Sequence, residues 1–427
     1  MRSFSFFRRA AVAALVLPVM IGCQDELPTA TGGDLFPAGT RPSTVDLLLE
    51  AEQFLLSSAQ QAGFSDPAAA GYLLVAREFE QALTANALVR FAGFPENVTY
   101  TVGGVITTTD DFTYQAGRVV ARIDAPASAP VATQLRLWAL AQPWDTAGVS
   151  WTTAAGRTSP TPWATPGGTR GQLLAQTMWT PGDTAAAADS VIFAVDSLTV
   201  ARMAAGGFNG LLVTSETAGS RVQLSRFVLQ TGVRPAAHPD TAVAMIVPVG
   251  PQTFIFTPQP PSIAGTLRVG GLEGDRGVIR LNLSQQVPSC SNPAVTPNCP
   301  MVPLREVMIN RASLVLSPLP TPGGLRPLQA PSVRIRRVLE PDLGRFAPLG
   351  ELIFADTLPV ARFTQPAGEP IIFDMTRAFS VFTAGELGQV TIAVLAEQQD
   401  ASFGYLYFSD RPRLRIVYTL PVQPTFP

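Results

Sequence analysis

The 427-residue chain contains no lysine: all 30 of its basic residues are arginine, set against 32 aspartates and glutamates. A nucleic-acid partner needs a basic excess, so this balance excludes one. The arginine-only usage, beside abundant Ala, Gly and Pro, reads as genomic composition before function. Histidine occurs once, as His238 within Ala-Ala-His-Pro-Asp. One loop imidazole excludes chemistry built on several, whether a metal cluster or a catalytic triad, and no cofactor or metal is expected. Cysteine occurs three times, and Cys290 and Cys299 without a nearby histidine fall short of the four N/S ligands of a structural zinc. Long apolar runs are missing as well. After Ile21 every hydrophobic segment is interrupted by Arg, Asp, Gly or Pro, so none reaches the roughly 20 residues of a membrane-spanning helix. Long helices are excluded by 39 prolines, since each costs about 3 kcal/mol in a helix interior.

What is present begins with an export signal. Arg2, Arg8 and Arg9 form a basic start, Ala10 to Ile21 an apolar run, and Gly22 a small residue before Cys23. Met20-Ile21-Gly22-Cys23 resembles the lipobox of bacterial lipoproteins, which implies residues 1–22 as signal peptide and Cys23 as the lipidated first residue of the mature chain. Acyl chains adding about 0.8 kcal/mol per buried methylene would make that attachment firm. Gln24 stands where an Asp would resemble an inner-membrane retention signal, so the expected location is the outer membrane. Residues 23–42, rich in Pro, Gly and Thr, cannot bury a core and read as a disordered tether. In an exported chain Cys290 and Cys299 are expected to form a disulfide closing a short Pro-rich loop.

The remainder is a series of short Val-, Leu-, Ile- and Phe-rich runs between turn signals, which suggests antiparallel sandwiches or barrels. Val45 to Gln61 carries a helical spacing, but an internal repeat argues for strand there. Gln53-Phe54-Leu55-Leu56 lines up with Gln252 to Phe256, Leu73 to Ala76 with Leu267 to Gly270, and Ala87 to Phe91 with Gly277 to Leu281. Gln134 to Leu140 then answers Ser332 to Leu339, and Val191 to Asp196 answers Ile371 to Thr376. Five blocks in one order point to one module used twice, over residues 43–250 and 251–427.

Trp144-Asp145-Thr146-Ala147-Gly148-Val149-Ser150-Trp151 resembles the W-x-E-x-x-V-T-W signature of DNRLRE-type domains, which overlap carbohydrate-binding module family 96. Leu74-Val75 with Ala87 to Phe91, Val195-Asp196, and Phe408 to Tyr418 resemble other blocks of that family. The literal D-N-R-L-R-E string is absent, and the later half of the chain has no Trp. The resemblance implies an all-β chain of two tandem jelly-roll-like sandwiches and, for some members, binding of acidic polysaccharide.

Period-two alternation puts Leu135, Leu137 and Ala139 on one face of a strand and Arg136 and Trp138 on the other. Arg118, Val120 and Arg122 share a face of the preceding strand, as Arg334 and Arg336 do in the second copy. Arginines beside a Trp suit carboxylated sugars, through bidentate contacts and ring stacking; a merely solvated sheet face is the plain alternative. Arg122, Arg136 and Trp138 are the candidate ligand residues. Trp163 and Trp179, in Pro-rich loops, either plug an apolar edge or offer a further platform. The expected function is a non-catalytic, membrane-anchored binding module for acidic polysaccharide. A structural or adhesive protein docking a cell-envelope partner is the alternative, and a polysaccharide hydrolase or lyase the more distant one.

Overall fold

The computed structural model describes residues 43–64, 66–182, 190–257, 263–271, 274–290, 298–364, 368–385, 388–397 and 403–420. The signal peptide, Cys23 and the tether expected from the sequence lie outside them. The described chain opens with β1 (Thr44–Leu49), one helical turn α1 (Ala51–Phe54) and β2 (Leu55–Gln61). The strand expected from Gln53 to Leu56 is thus corrected in its first half. Gln53 Oε1 accepts the Glu50 N–H at 2.8 Å while the Gln53 N–H donates to the Glu50 carbonyl at 2.9 Å, closing a turn that buries Phe54.

A first unit follows, with β3 (Leu73–Phe79), β4 (Leu83–Phe91), a hairpin of β5 (Val98–Val102) and β6 (Val105–Thr109), β7 (Phe112–Tyr114), β8 (Gly117–Ile123) and β9 (Thr133–Leu140). It continues through a small ribbon of β10 (Thr153–Ala155) and β11 (Thr161–Pro162) to β12 (Arg170–Trp179) and β13 (Ser190–Val195). Helix α2 (Ser197–Ala204), capped by the Asp196 carboxylate on the Thr199 N–H, leads to β14 (Leu211–Ser215), β15 (Ser220–Pro235) and β16 (Val243–Phe256). Apart from the β5–β6 hairpin and the β10–β11 ribbon, these strands form one antiparallel sheet in the order β12-β9-β14-β4-β16-β15-β8-β13, with β3 on β15 and β4, and β7 on β15. The sheet folds over itself, because Leu135 and Leu137 of β9 share a core with Val119 and Ala121 of β8.

The second unit contains β17 (Thr266–Gly270), β18 (Arg276–Asn282), a ribbon of β19 (Gln286–Pro288) and β20 (Met301–Pro303), β21 (Met308–Leu316), β22 (Pro318–Leu319) and β23 (Ser332–Val338). Then come β24 (Leu349–Thr357), β25 (Ile371–Asp374), α3 (Thr376–Ala384), β26 (Gln389–Ala396), β27 (Tyr405–Ser409) and β28 (Arg413–Thr419). Its sheets run β2-β18-β26-β23-β24, β1-β28-β21-β25 and β17-β27-β22. The chain is therefore an all-β antiparallel sandwich protein. Cys290 and Cys299 are disulfide-bonded beyond the β19–β20 ribbon, with Cα atoms 5.8 Å apart.

The two units follow one plan, but the expected division near Gly250 is not where pairing divides. Gly250 lies inside β16, and the opening strands are exchanged. β2 pairs with β18 (Ser58 opposite Ile279) and β1 with β28 (Leu47 opposite Ile416), so residues 44–61 complete the second unit. β16 pairs with β4 (Phe254 opposite Ala87) and with β15 (Val247 opposite Leu229), completing the first. Burial follows this pairing, since Val45, Leu49 and Phe54 join the second core and Phe254 the first. Each apolar side chain of that size stabilises by about 1.5–3 kcal/mol when covered.

The units also share a buried junction. Arg221 of β15, 1 % exposed, donates to the carbonyls of Arg326 (2.8 Å) and Phe403 (2.7 Å) across it. Its guanidinium lies 4.8 Å over the Phe403 ring and 5.5 Å over Phe79, and burial pushes its pKa down to about 10. Leu325, Phe403, Tyr405 and Tyr407 of the second unit complete the first unit's core.

Candidate ligand-binding site

On β9, Leu135 and Leu137 face the core, leaving Arg136, Trp138 and Leu140 on the outer face of the layer β12-β9-β14-β4-β16. Half of that face is covered by the segment 141–169. Trp144, Ala154 and Trp163 pack there on Leu88, Leu140, Leu212 and Ile255, with Trp138, Val149 and Trp151 at the margin. One aspartate shapes this cover: Asp145 accepts the N–H groups of Gly148 (2.7 Å) and Gly156 (2.8 Å). Those amide hydrogen bonds hold its carboxyl below the usual range. A Cβ on Gly148 would come within 2.5 Å of the Gly156 backbone, so only glycine allows the two strands of the cover to approach.

The other half of the face carries charge. Glu216 follows β14, and its N–H donates to the Gln134 carbonyl at 2.9 Å, which fixes it beside β9. Arg77 Nη1 donates to Glu216 Oε2 at 2.9 Å and to the Glu216 carbonyl at 3.1 Å. Arg136 and Arg170 each bring a guanidinium nitrogen to 3.6 Å from Oε1, and that oxygen accepts no hydrogen bond among the described residues. The Arg170 guanidinium lies 5.3 Å over the Trp138 ring, whose Nε1 donates to Thr214 Oγ1 at 3.1 Å. A cavity of about 430 Å³ opens beside this group, lined by Arg77, Glu78, Arg170, Glu216, Trp151, Asn86 and Gly167, with Arg136 and Trp138 outside its wall. Gly167, at φ +86°, lies so close to Trp151 that a Cβ would stand 2.7 Å from the ring, and its carbonyl accepts from Asn86 Nδ2 at 2.7 Å. Three guanidiniums meet the Glu216 carboxylate, and with Glu78 also in the cavity wall the local charge is +1, suited to anions that accept forked hydrogen bonds.

Of the residues expected from sequence, Arg136 and Trp138 stand together here. Arg122 does not. It is exposed on β8, opposite Ser190 and Ser225, on the outer face of the other layer and so on the far side of the sandwich. Trp163 and Trp179 are plugs, which corrects their candidacy as platforms. Trp163 is 5 % exposed and donates from Nε1 to the Ser150 carbonyl, and Trp179 is 4 % exposed in the first core. Arg77, Arg170 and Glu216 escaped sequence reasoning, because three separate segments bring them together; Trp151 was singled out only as part of the Trp144 to Trp151 motif. The repeat alone held a hint, since Gln134 to Leu140 matches Ser332 to Leu339 and the second unit carries the counterpart pair Arg334–Glu397. The Glu397 N–H donates to the Ser332 carbonyl at 2.8 Å, as Glu216 does to Gln134. His238 sits in a turn with its ring 5.6 Å from Tyr100. Among the described residues no three of His, Cys, Asp and Glu converge where a metal would be held.

No family model and no curated protein matches the chain. Among solved structures it is similar to a structure of infectious bursal disease virus Gx strain, at 10 % identity over 88 % of this chain and 71 % of that one, with a TM-score of 0.15. It is also similar to the C-terminal domain of the Streptococcus pyogenes antigen I/II-family protein AspA, at 8 % identity over 79 % and 91 %, TM-score 0.14. A third is the C-terminal domain of the Streptococcus agalactiae AgI/II polypeptide BspA, at 8 % over 88 % and 90 %, TM-score 0.10. None of these likenesses carries an argument about fold or function.

Proposed function

We propose that the protein is an exported, outer-membrane lipoprotein that binds acidic polysaccharide without catalysis, through the outer face of its first unit. The observation that carries this reading is the 3:1 gathering of Arg77, Arg136 and Arg170 about Glu216, open to a cavity with Trp151 in its wall. Guanidiniums recognise carboxylates by forked hydrogen bonds, and an indole covers the apolar face of a sugar ring. The anchoring part rests on the basic start, the apolar run and Gly22-Cys23. Kinship with DNRLRE-type domains rests on the Trp144 to Trp151 motif, whose tryptophans lie at this face. Affinity electrophoresis in polygalacturonate gels tests the reading. Arg170→Ala is expected to abolish most of the retardation shown by the unaltered protein, and added salt to weaken it, since exposed charges are screened over about 8–10 Å. Equal retardation of both proteins, or none by any acidic polymer, refutes it. Cys23→Ser is expected to move the protein from the membrane to a soluble fraction.

A further inference from the structure

The sheet β2-β18-β26-β23-β24 of the second unit carries only the short turn Pro341–Phe346 on its outer face, where the first unit has its long cover. Ile279 and Leu281 of β18 and Val333 and Ile335 of β23 enter the core, so alternation turns Arg276, Arg280, Arg334 and Arg336 outward. The turn and the sheet margin add Arg345 and Arg337. Four acids stand among these six arginines. Asp342 pairs with Arg280 (3.9 Å), Glu351 with Arg337 (3.8 Å) and Glu397 with Arg334, and Glu340 is exposed at the start of the turn, which leaves a net charge of +2. Like charges crowd here, since burial and then the Arg336 guanidinium push the Arg276 pKa down. The same face puts apolar side chains into water. Phe346 is 74 % exposed with the Arg345 guanidinium 4.8 Å over its ring, and Leu343 and Leu352, the latter opposite Arg336, are half-exposed.

We propose that this face rests on an anionic lipid surface, with Phe346, Leu343 and Leu352 entering the headgroup boundary and the arginines meeting lipid phosphates. Two observations select a bilayer. The first is the mixture of side chains: apolar groups set among arginines bind an interface by buried apolar area plus attraction to anionic lipid, whereas a soluble polyanion gains little from an exposed Phe and two Leu. The second is where the chain comes from. β1 and β2 both pair into this unit, and Ser43, the first described residue, stands twenty residues after Cys23. That length reaches at most about 70 Å fully extended. With Cys23 acylated, the second unit is therefore held close to the membrane, and a weak contact suffices at the resulting effective concentration. This second argument rests on the anchoring reading given above; the composition of the face does not. Docking there fixes the second unit on the lipid and leaves the first to carry the binding site.

The test uses the full chain from residue 23 with Cys23→Ser, so that no acyl chain contributes. It is floated with vesicles of phosphatidylcholine alone or mixed with an equal part of phosphatidylglycerol. Flotation with the mixed vesicles and not with phosphatidylcholine, weakened by salt, supports the proposal. In that chain Arg345→Glu is expected to weaken vesicle binding about twentyfold, being about fivefold per charge at an anionic surface taken twice. Phe346→Ser should weaken it about tenfold. Both side chains are exposed, so neither change threatens the fold. Arg122→Glu makes the same charge change on the far side of the first unit and should leave flotation as it was. Equal flotation of all variants overturns the proposal, as does an equal loss in Arg345→Glu and Arg122→Glu. Equal binding to both kinds of vesicle overturns it too. Absence of flotation with the mixed vesicles overturns it while leaving the anchoring reading standing, because that reading is tested by fractionation of the unaltered protein. If polygalacturonate retardation falls in Arg345→Glu and Phe346→Ser while flotation does not, the face belongs to a soluble polyanion and the proposal is overturned.

Discussion

The two units are built on one strand plan and differ in what they carry on the same face. In the first, β15 and β16 run unbroken for 16 and 14 residues and knit both layers into a single sheet. In the second, the corresponding path is broken, by α1 between β1 and β2 and by Asp410-Arg411-Pro412 between β27 and β28. The Arg–Glu pair occurs in both, as Arg136–Glu216 and Arg334–Glu397. Only the first adds Arg77, Arg170 and a wall of tryptophans; where it has Trp138 the second has Arg336, turned to the Gly350 carbonyl. The first has the long cover 141–169, whereas in the second Val338, Ala393 and Leu395 of the sheet face are met by Ala347, just after the short turn Pro341–Phe346. A shared scaffold thus fixes where the pair stands, and the loops decide whether it becomes a site.

The largest effect is expected where the units trade strands. Phe54 lies early in the sequence yet 1 % exposed in the second core, and Phe254 lies in the first at 2 %. Truncating a buried Phe costs about 3–5 kcal/mol. Phe54→Ala should therefore loosen β18, β26 and β28, with little change in β4 and β9; Phe254→Ala should do the reverse. Amide hydrogen exchange resolves the two sets of strands. Faster exchange in β4 after Phe54→Ala would mean that each repeat closes on its own opening strand.

A smaller effect is expected at the junction. Arg221 satisfies two carbonyls of the second unit from a strand of the first. Leaving a buried acceptor unmet costs about 1–3 kcal/mol, partly offset here by the desolvation that a buried cation no longer suffers. Arg221→Leu should lower stability by about 2–3 kcal/mol and separate the unfolding of the two units. All five tryptophans, from Trp138 to Trp179, lie in the first unit, so indole fluorescence follows it alone while circular dichroism follows both. Coincident transitions in the variant would show that the apolar contacts of Phe403, Tyr405 and Tyr407 suffice.

Much of this was legible in sequence, for a physical reason. Alternation in Gln134 to Leu140 and the proline density force short, half-buried strands, and the repeat of that block located the same strand in both units. The exchange was not legible, because residues 44–61 and 243–256 are alike enough to close either unit and pattern alone does not say which connection crosses. The site was half legible. Arg136 and Trp138 share a strand face and could be paired by period two, but Arg77, Arg170 and Glu216 come from β3, β12 and the end of β14, whose adjacency is a matter of sheet order. Trp163 and Trp179 were ambiguous, because an indole in a Pro-rich loop looks the same in sequence whether the loop covers a face or stands away from it.

The smallest and most local effect should separate the two covers by acid. Asp145 is held below the usual carboxyl range chiefly by the Gly156 amide, then by Gly148. A carboxyl lowered on folding contributes stability that is complete above its unfolded value of about 3.9 and is lost as pH falls through its folded value. Asp196 in the first unit and Asp46 and Asp374 in the second are lowered as well, so acid weakens both units, and Asp145→Asn is needed to isolate the cover. That variant keeps an oxygen for one glycine amide and offers the other an NH2, so the segment between Gly148 and Gly156 should loosen at neutral pH. Trp144 and Trp163, buried under it, would then emit at longer wavelength, as they should in the unaltered protein once pH falls through the lowered folded value of Asp145. Exchange in β23 and β26 should not move with the variant, because Asp145 holds the cover of the first unit and those strands belong to the second. A Trp emission that ignores both the variant and the acid would mean that indole packing on Leu88, Leu140 and Leu212 holds the cover by itself.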